Sequence, residues 1–153
     1  ACDQTRVFSN FVTSPLNNLL FPGADAGHHR LTHDEEPPQH QVHEIVRHCM
    51  GRFADMLTAL DAVDEGEGSL LDHCLVLGTS DVALGNTHTL VDYPIVLAGG
   101  ACGAIKTDTH YRSPAADNAS KVMLSIVRAM GISAPSYGAE DGLVSESLGA
   151  IEA

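Results

Sequence analysis

Basic residues are scarce in this sequence. Lysine and arginine total 8 against 20 acidic residues, a formal net charge of −12. A surface this acidic repels phosphate backbones and anionic headgroups, which excludes nucleic acid and anionic membrane as partners. Aromatics are also few, at 5% with no tryptophan, so a base-stacking platform has nothing to be built from. No uninterrupted apolar run approaches the ~18 residues of a membrane span. The four cysteines, Cys2, Cys49, Cys74 and Cys102, form no CxxC pair, which removes zinc ribbons and thioredoxin-type motifs. Buried, inert thiols are their plainest reading. One disulfide among them stays open, because spacing does not pair them.

What is present suits a folded body. The 153 residues are 44% hydrophobic and only 18% charged, enough for a sizeable core and a single domain over residues 1–153. The chain starts Ala1-Cys2-Asp3 without a methionine, and it reads as a processed piece or as one chain of a larger object. Nine histidines are many for this length, and most lie in the first 90 residues.

Patterning supplies the expected elements. Arg6 to Thr13 is rich in β-branched and aromatic side chains and predicts a strand. Residues 14–38 carry Pro15, Pro22, Gly23, Gly27, Pro37 and Pro38 and predict a long loop, which holds His28, His29 and His33. From Gln39 to Asp61, Val42, Val46, Cys49, Phe53, Met56 and Leu60 recur at helical spacing, with Ile45, Met50 and Leu57 beside them. Leu70 to Ser80 contains the apolar run Cys74-Leu75-Val76-Leu77, and Pro94 to Ala98 is a second such run. Both predict strands buried on two faces, as in a parallel sheet. Gly99-Gly100-Ala101-Cys102-Gly103 predicts a tight turn; it lacks the lysine and spacing of a phosphate cradle. A second helix carries Val122, Met123, Ile126, Val127 and Met130, capped by Asp117 or Asn118 and closed by Gly131. Residues 133–153 predict a loop-rich tail anchored by Leu143, Val144 and Leu148. The order predicts an α/β architecture, a mostly parallel sheet flanked by helices.

In such sheets ligands bind beyond the carboxyl ends of the strands. Three polar clusters are expected there: Gly27 to Glu36, Thr79-Ser80-Asp81, and Gly85-Asn86-Thr87-His88. Imidazole and carboxylate together are the ligand set of zinc and similar divalent ions, so His28, His29, His33, Asp81 and His88 are the candidate metal ligands. Against this, a loop histidine is usually solvated. His40, His43 and His48 fit a solvated helical face, Asp64, Glu65 and Glu67 an acidic turn, and His73 and His110 have no assigned role.

The segments CDQTRVF, GHHRLTHDE, GSLLDHCLVLGTSD, GNTH and YPIVLAGGACGAIKT resemble the C-terminal half of an exported family of unknown function. That family is similar to the alkaline phosphatase and sulfatase superfamily, and the resemblance runs from about Cys2 to Leu143. It implies an alkaline-phosphatase-like half-domain, export to the periplasm or cell surface, and metal ligands at His33, Asp81 and His88. It also implies a nucleophile supplied by an N-terminal half. Several positions depart from the family pattern. His29 stands where a carboxylate is expected and Asp34 where a second histidine is. Leu84 replaces an acidic residue, and Thr89, Leu90 and Val91 replace further histidines. Leucine cannot ligate a cation.

Two functions follow as expectations. The first is a non-catalytic, degenerate module acting as a structural or binding subunit of an exported assembly, with another protein chain covering an open sheet edge. The second is a metal-dependent phosphate- or sulfate-ester hydrolase, using zinc or another divalent metal and completed by the missing half.

Overall fold

The computed structural model of the protein describes residues 4–153, so Cys2 and its pairing lie outside the described residues. The elements run α1 (His28–Asp34), α2 (His40–Asp61), α3 (Leu70–His73), β1 (Val76–Thr79), β2 (Ile95–Ala98), α4 (Ser120–Ala129) and a 3-10 turn at Glu140–Gly142. They fall into two compact units. One combines the chain up to Ala59 with Gly78–Ile95, and the other combines Leu60–Leu77 with Val96–Ala153.

The expected parallel sheet is not there. Among the described residues β1 and β2 form a two-stranded antiparallel sheet with no other strand beside them. The reason lies in the connection. A parallel pair needs a crossover, usually a helix, to carry the chain back to the same end. The segment between β1 and β2 contains no helix; it turns on an antiparallel bridge between Leu84 and Thr89 and returns directly. Nor is either strand covered on both faces, since Leu77 and Val96 are exposed. An unbroken apolar run was therefore a misleading sign of two-sided burial. An alkaline-phosphatase-like half-sheet is therefore absent among the described residues.

Other expectations change for local reasons. Arg6 to Thr13 forms no strand, and Val7 is 84% and Phe11 75% exposed. β-propensity expresses a fit to a pleated, half-buried surface, and no neighbouring strand offers one here. The long loop 14–38 contains α1, whose seven residues hold neither glycine nor proline. Its breakers flank the helix. Leu31 anchors α1 in a small core with Phe21 and Ile45, against which Ala24, Ala26, Val42 and Cys49 pack. The start of the Leu70 to Ser80 segment is helical because Ser69 and Asp72 form a reciprocal capping box.

The long helix is where the spacing put it. Glu35 caps it: its carboxylate accepts from the Gln41 and Val42 amides at 2.9 and 3.0 Å. Desolvation pushes that carboxyl upward, but the two amide bonds outweigh it and hold its pKa below the usual carboxylate value. The apolar stripe is only partly used. Ile45 is buried, and burial pushes the Cys49 thiol up, while Val46 and Met50 remain exposed.

In the second unit α4 carries the core. Leu124 is fully buried and Ser125 is 1% exposed. The N-cap position is Ala119, which has no side-chain cap; Asn118 just before it accepts from the Ser120 amide through its side-chain oxygen at 2.9 Å. The tail is loop-rich but pinned. Ser125 donates to Glu152 at 2.7 Å and accepts from the Leu148 amide at 3.0 Å. Arg128 donates to the Ala134 and Ser145 carbonyls and to Ser147. Of the three expected anchors, Leu148 is buried and Leu143 exposed. The glycine turn is real: a Cβ on Gly99, at φ +84°, would lie 2.4 Å from the Cys74 carbonyl oxygen. The close approach lets Ala101 and Cys102 donate to the Cys74 and Asp72 carbonyls at the end of α3.

Candidate functional site

Three of the five candidate ligands meet in the first unit. His29 and His33 stand four residues apart on α1, the spacing that places side chains on one helical face. Their ring centroids are 5.0 Å apart, edge to face. His88 comes from a distant part of the sequence, and its ring lies 5.1 Å from that of His33 at an interplanar angle of 83°.

The turn that delivers His88 is built for close contact with α1. The Leu84–Thr89 bridge closes it, with the Ala83 amide donating to the Thr89 carbonyl at 2.8 Å. Gly85 lies against Thr32 so tightly that a Cβ would stand 2.6 Å from the Thr32 Cβ. Asn86 donates from its side-chain amide to the His33 carbonyl at 3.1 Å. His88 itself is in the left-handed region at φ 54°, uncommon for a side chain of this size. Glycine contact, amide bond and backbone twist together set the imidazole beside His33.

His28 and Asp81 do not join this group. The His28 ring faces Phe21 at 5.8 Å, and burial, aided by the neighbouring His29, lowers its pKa. Asp81 is exposed beyond the end of β1. His33 packs against both His29 and His88. The rings meet edge to face, and no group of three or more His, Cys, Asp or Glu side chains among the described residues is arranged to hold a metal ion.

Some residues have roles that spacing alone did not assign. Gly85 and Asn86 belong to a polar cluster of the sequence, and only their contacts reveal that they dock a turn. His73 pairs with Glu65 at 2.9 Å, so it is no longer without a partner. His40, Glu44 and His48 line a concavity of about 190 Å³ with Phe21 and Ile45. That is smaller than the roughly 300 Å³ where small-molecule sites begin. Among the described cysteines, Cys49, Cys74 and Cys102 are free thiols. No helix is long and apolar enough to cross a membrane among the described residues.

Comparison with protein-family models, curated proteins and solved structures finds no match to the chain.

Proposed function

We propose that the protein is a non-catalytic binding or structural subunit of an exported assembly, in which another protein chain covers apolar surface left open by its own fold. One observation carries this reading. Large apolar side chains stand exposed near the start of the first unit, where Val7 is 84%, Leu16 78% and Phe11 75% exposed.

The surface has the chemistry of an interface. Val7, Phe8, Phe11, Leu16, Leu19 and Leu20 are all exposed within one short stretch of the first unit. Single exposed apolar residues are ordinary on a monomer, but a run of them marks a contact site. Among the described residues each strand of the two-stranded sheet has one neighbour, so each keeps an unpaired edge. The acidic balance favours a partner whose rim is basic. Export is supported by the family resemblance alone. Sedimentation of the purified chain at micromolar concentration tests the reading: the expected result is a mass above that of one chain, and a stable monomer contradicts it.

A second reading, a metal-dependent phosphate- or sulfate-ester hydrolase completed by another chain, is favoured by one observation, the meeting of His33 and His88. In it the other chain supplies the nucleophile. Turnover of aryl phosphate and aryl sulfate esters by the native particle, set against the chain alone, tests it. No turnover by the particle ends it.

A further inference from the structure

We propose that Cys74 and Cys102 are a redox-active pair that closes to a disulfide in an oxidising environment and staples the open end of the two-stranded sheet. The inference goes beyond the subunit reading and does not depend on it. Cysteine spacing left the pairing open; sheet topology does not. β1 and β2 are antiparallel neighbours, so the start of β1 at Val76 and the end of β2 at Ala98 lie at the same end of the ladder. Cys74 stands just before that start, and Cys102 stands just after that end, inside the turn from Gly99 to Gly103. The turn is bonded directly to the chain around Cys74. The Ala101 amide donates to the Cys74 carbonyl at 3.1 Å, and the Cys102 amide to the Asp72 carbonyl at 3.0 Å.

The two thiols share one rim. The Cys74 thiol donates to the Leu71 carbonyl and the Cys102 thiol to the His73 carbonyl, each at 3.8 Å, at the C-terminal end of α3. A carbonyl oxygen stands about 2.8 Å from the next Cα, so the Cys102 sulfur is within about 6.6 Å of the Cys74 Cα. That is a gap of the size side chains cross by moving between staggered rotamers. The thiols are unequal, which sets the order of attack. Cys102 is exposed, whereas Cys74 is half-buried, and desolvation, reinforced by the Glu65 carboxylate, pushes its thiol pKa up. A small disulfide such as oxidised glutathione therefore meets Cys102 first. The Cys102 thiolate attacks one glutathione sulfur, the glutathione S–S bond breaks, and one glutathione leaves as thiolate. Cys74 then gives up its proton, and its thiolate attacks the Cys102 sulfur and displaces the second glutathione. Two electrons pass from the cysteines to the glutathione disulfide, and the two protons end on the two glutathione thiols. Each cysteine gives up only a long, weak bond to a carbonyl. The gain falls where it is needed: a two-stranded ladder alone is marginal in water, and a cross-link at its open end restricts the unfolded chain.

Incubation of the full chain with oxidised glutathione under native conditions, followed by alkylation and peptide mapping without reduction, tests the pair. Cleavage at Asp81 and Asp92 separates the two cysteines, which trypsin would leave on one peptide because no lysine or arginine lies between them. The expected result is a link joining Cys74 to Cys102, the loss of two hydrogens in mass, and a urea midpoint above that of the reduced chain. In denaturing urea the link should form roughly tenfold more slowly, because the native backbone no longer holds the pair together. Cys74→Ser and Cys102→Ser should each abolish the link, with glutathione trapped on Cys102 in the first. Cys49→Ser, at a position packed against the Phe21 core, should leave it unchanged. Far-UV circular dichroism confirms that each variant folds; should one fail, the map of the unaltered chain decides. Two thiols still free after equilibration overturn the proposal, as does a link from either cysteine to Cys2 or Cys49. An equal rate in urea, or a midpoint that does not rise on oxidation, overturns it as well.

Discussion

Asp117 shows how one side chain organises a segment that has no regular structure. Its carboxylate accepts from Lys121 at 2.8 Å, Ser113 at 2.7 Å and Tyr111 at 3.2 Å, tying the preceding loop to the first turn of α4. The Lys121 bond, followed by that of Ser113, lowers its pKa from the ordinary 3.8 to about 2. A depressed carboxylate stabilises the fold above its unfolded value, and the contribution disappears as pH falls toward the folded one. Asp117→Asn should therefore be less stable than the natural protein at pH 6, and the difference should shrink to nothing between pH 3.8 and about 2. Urea midpoints measured across that window check this; a difference that persists near pH 2 contradicts it. Ser125 is the corresponding residue in the core. Ser125→Ala leaves the buried Leu148 amide without its acceptor, and an unpaired buried donor costs about 1–3 kcal/mol. The expected result is a lower urea midpoint at unchanged slope.

At the scale of elements, the docked turn matters most. Gly85→Ala forces a Cβ to within 2.6 Å of the Thr32 Cβ, so either the turn lifts off α1 or α1 shifts. The urea midpoint should fall while helix content is preserved, read by denaturant unfolding and circular dichroism on the same sample. An unchanged midpoint would show that the close approach does not hold the turn on α1. Leu124→Ala, at the buried centre of α4, should cost about 2–5 kcal/mol in denaturant unfolding. Both long helices were legible in the sequence, because helical periodicity is a local property: α2 starts and stops within one residue of its expected bounds, and α4 begins just after Asn118, at the N-cap Ala119. The sheet was not legible. Cys74 to Leu77 and Pro94 to Ala98 have the composition of strands; the second is strand over Ile95–Ala98 and the first only from Val76, and direction and coverage depend on the path between them. The capping box at Ser69 and Asp72 was readable and marks the helix that the apolar run concealed. His33 and His88 were legible as candidates by residue type, while the His29–His33 contact depends on a helix inside the segment 14–38, expected to be loop.

For the whole molecule the decisive quantity is surface. The first unit leaves Val7, Phe8, Phe11, Leu16 and Leu20 exposed. Conformational entropy of similar size to the hydrophobic gain opposes folding, so apolar side chains left in water narrow the margin of stability. A partner that binds only the folded form adds stability by mass action. The direct measurement is native mass spectrometry of the particle isolated from its source, with cross-links mapped to this chain. The account predicts a second protein chain, or further copies of this one, at fixed stoichiometry, with cross-links next to Phe8, Phe11, Leu16 and Leu20. A particle containing one copy of this chain and no other protein would contradict it.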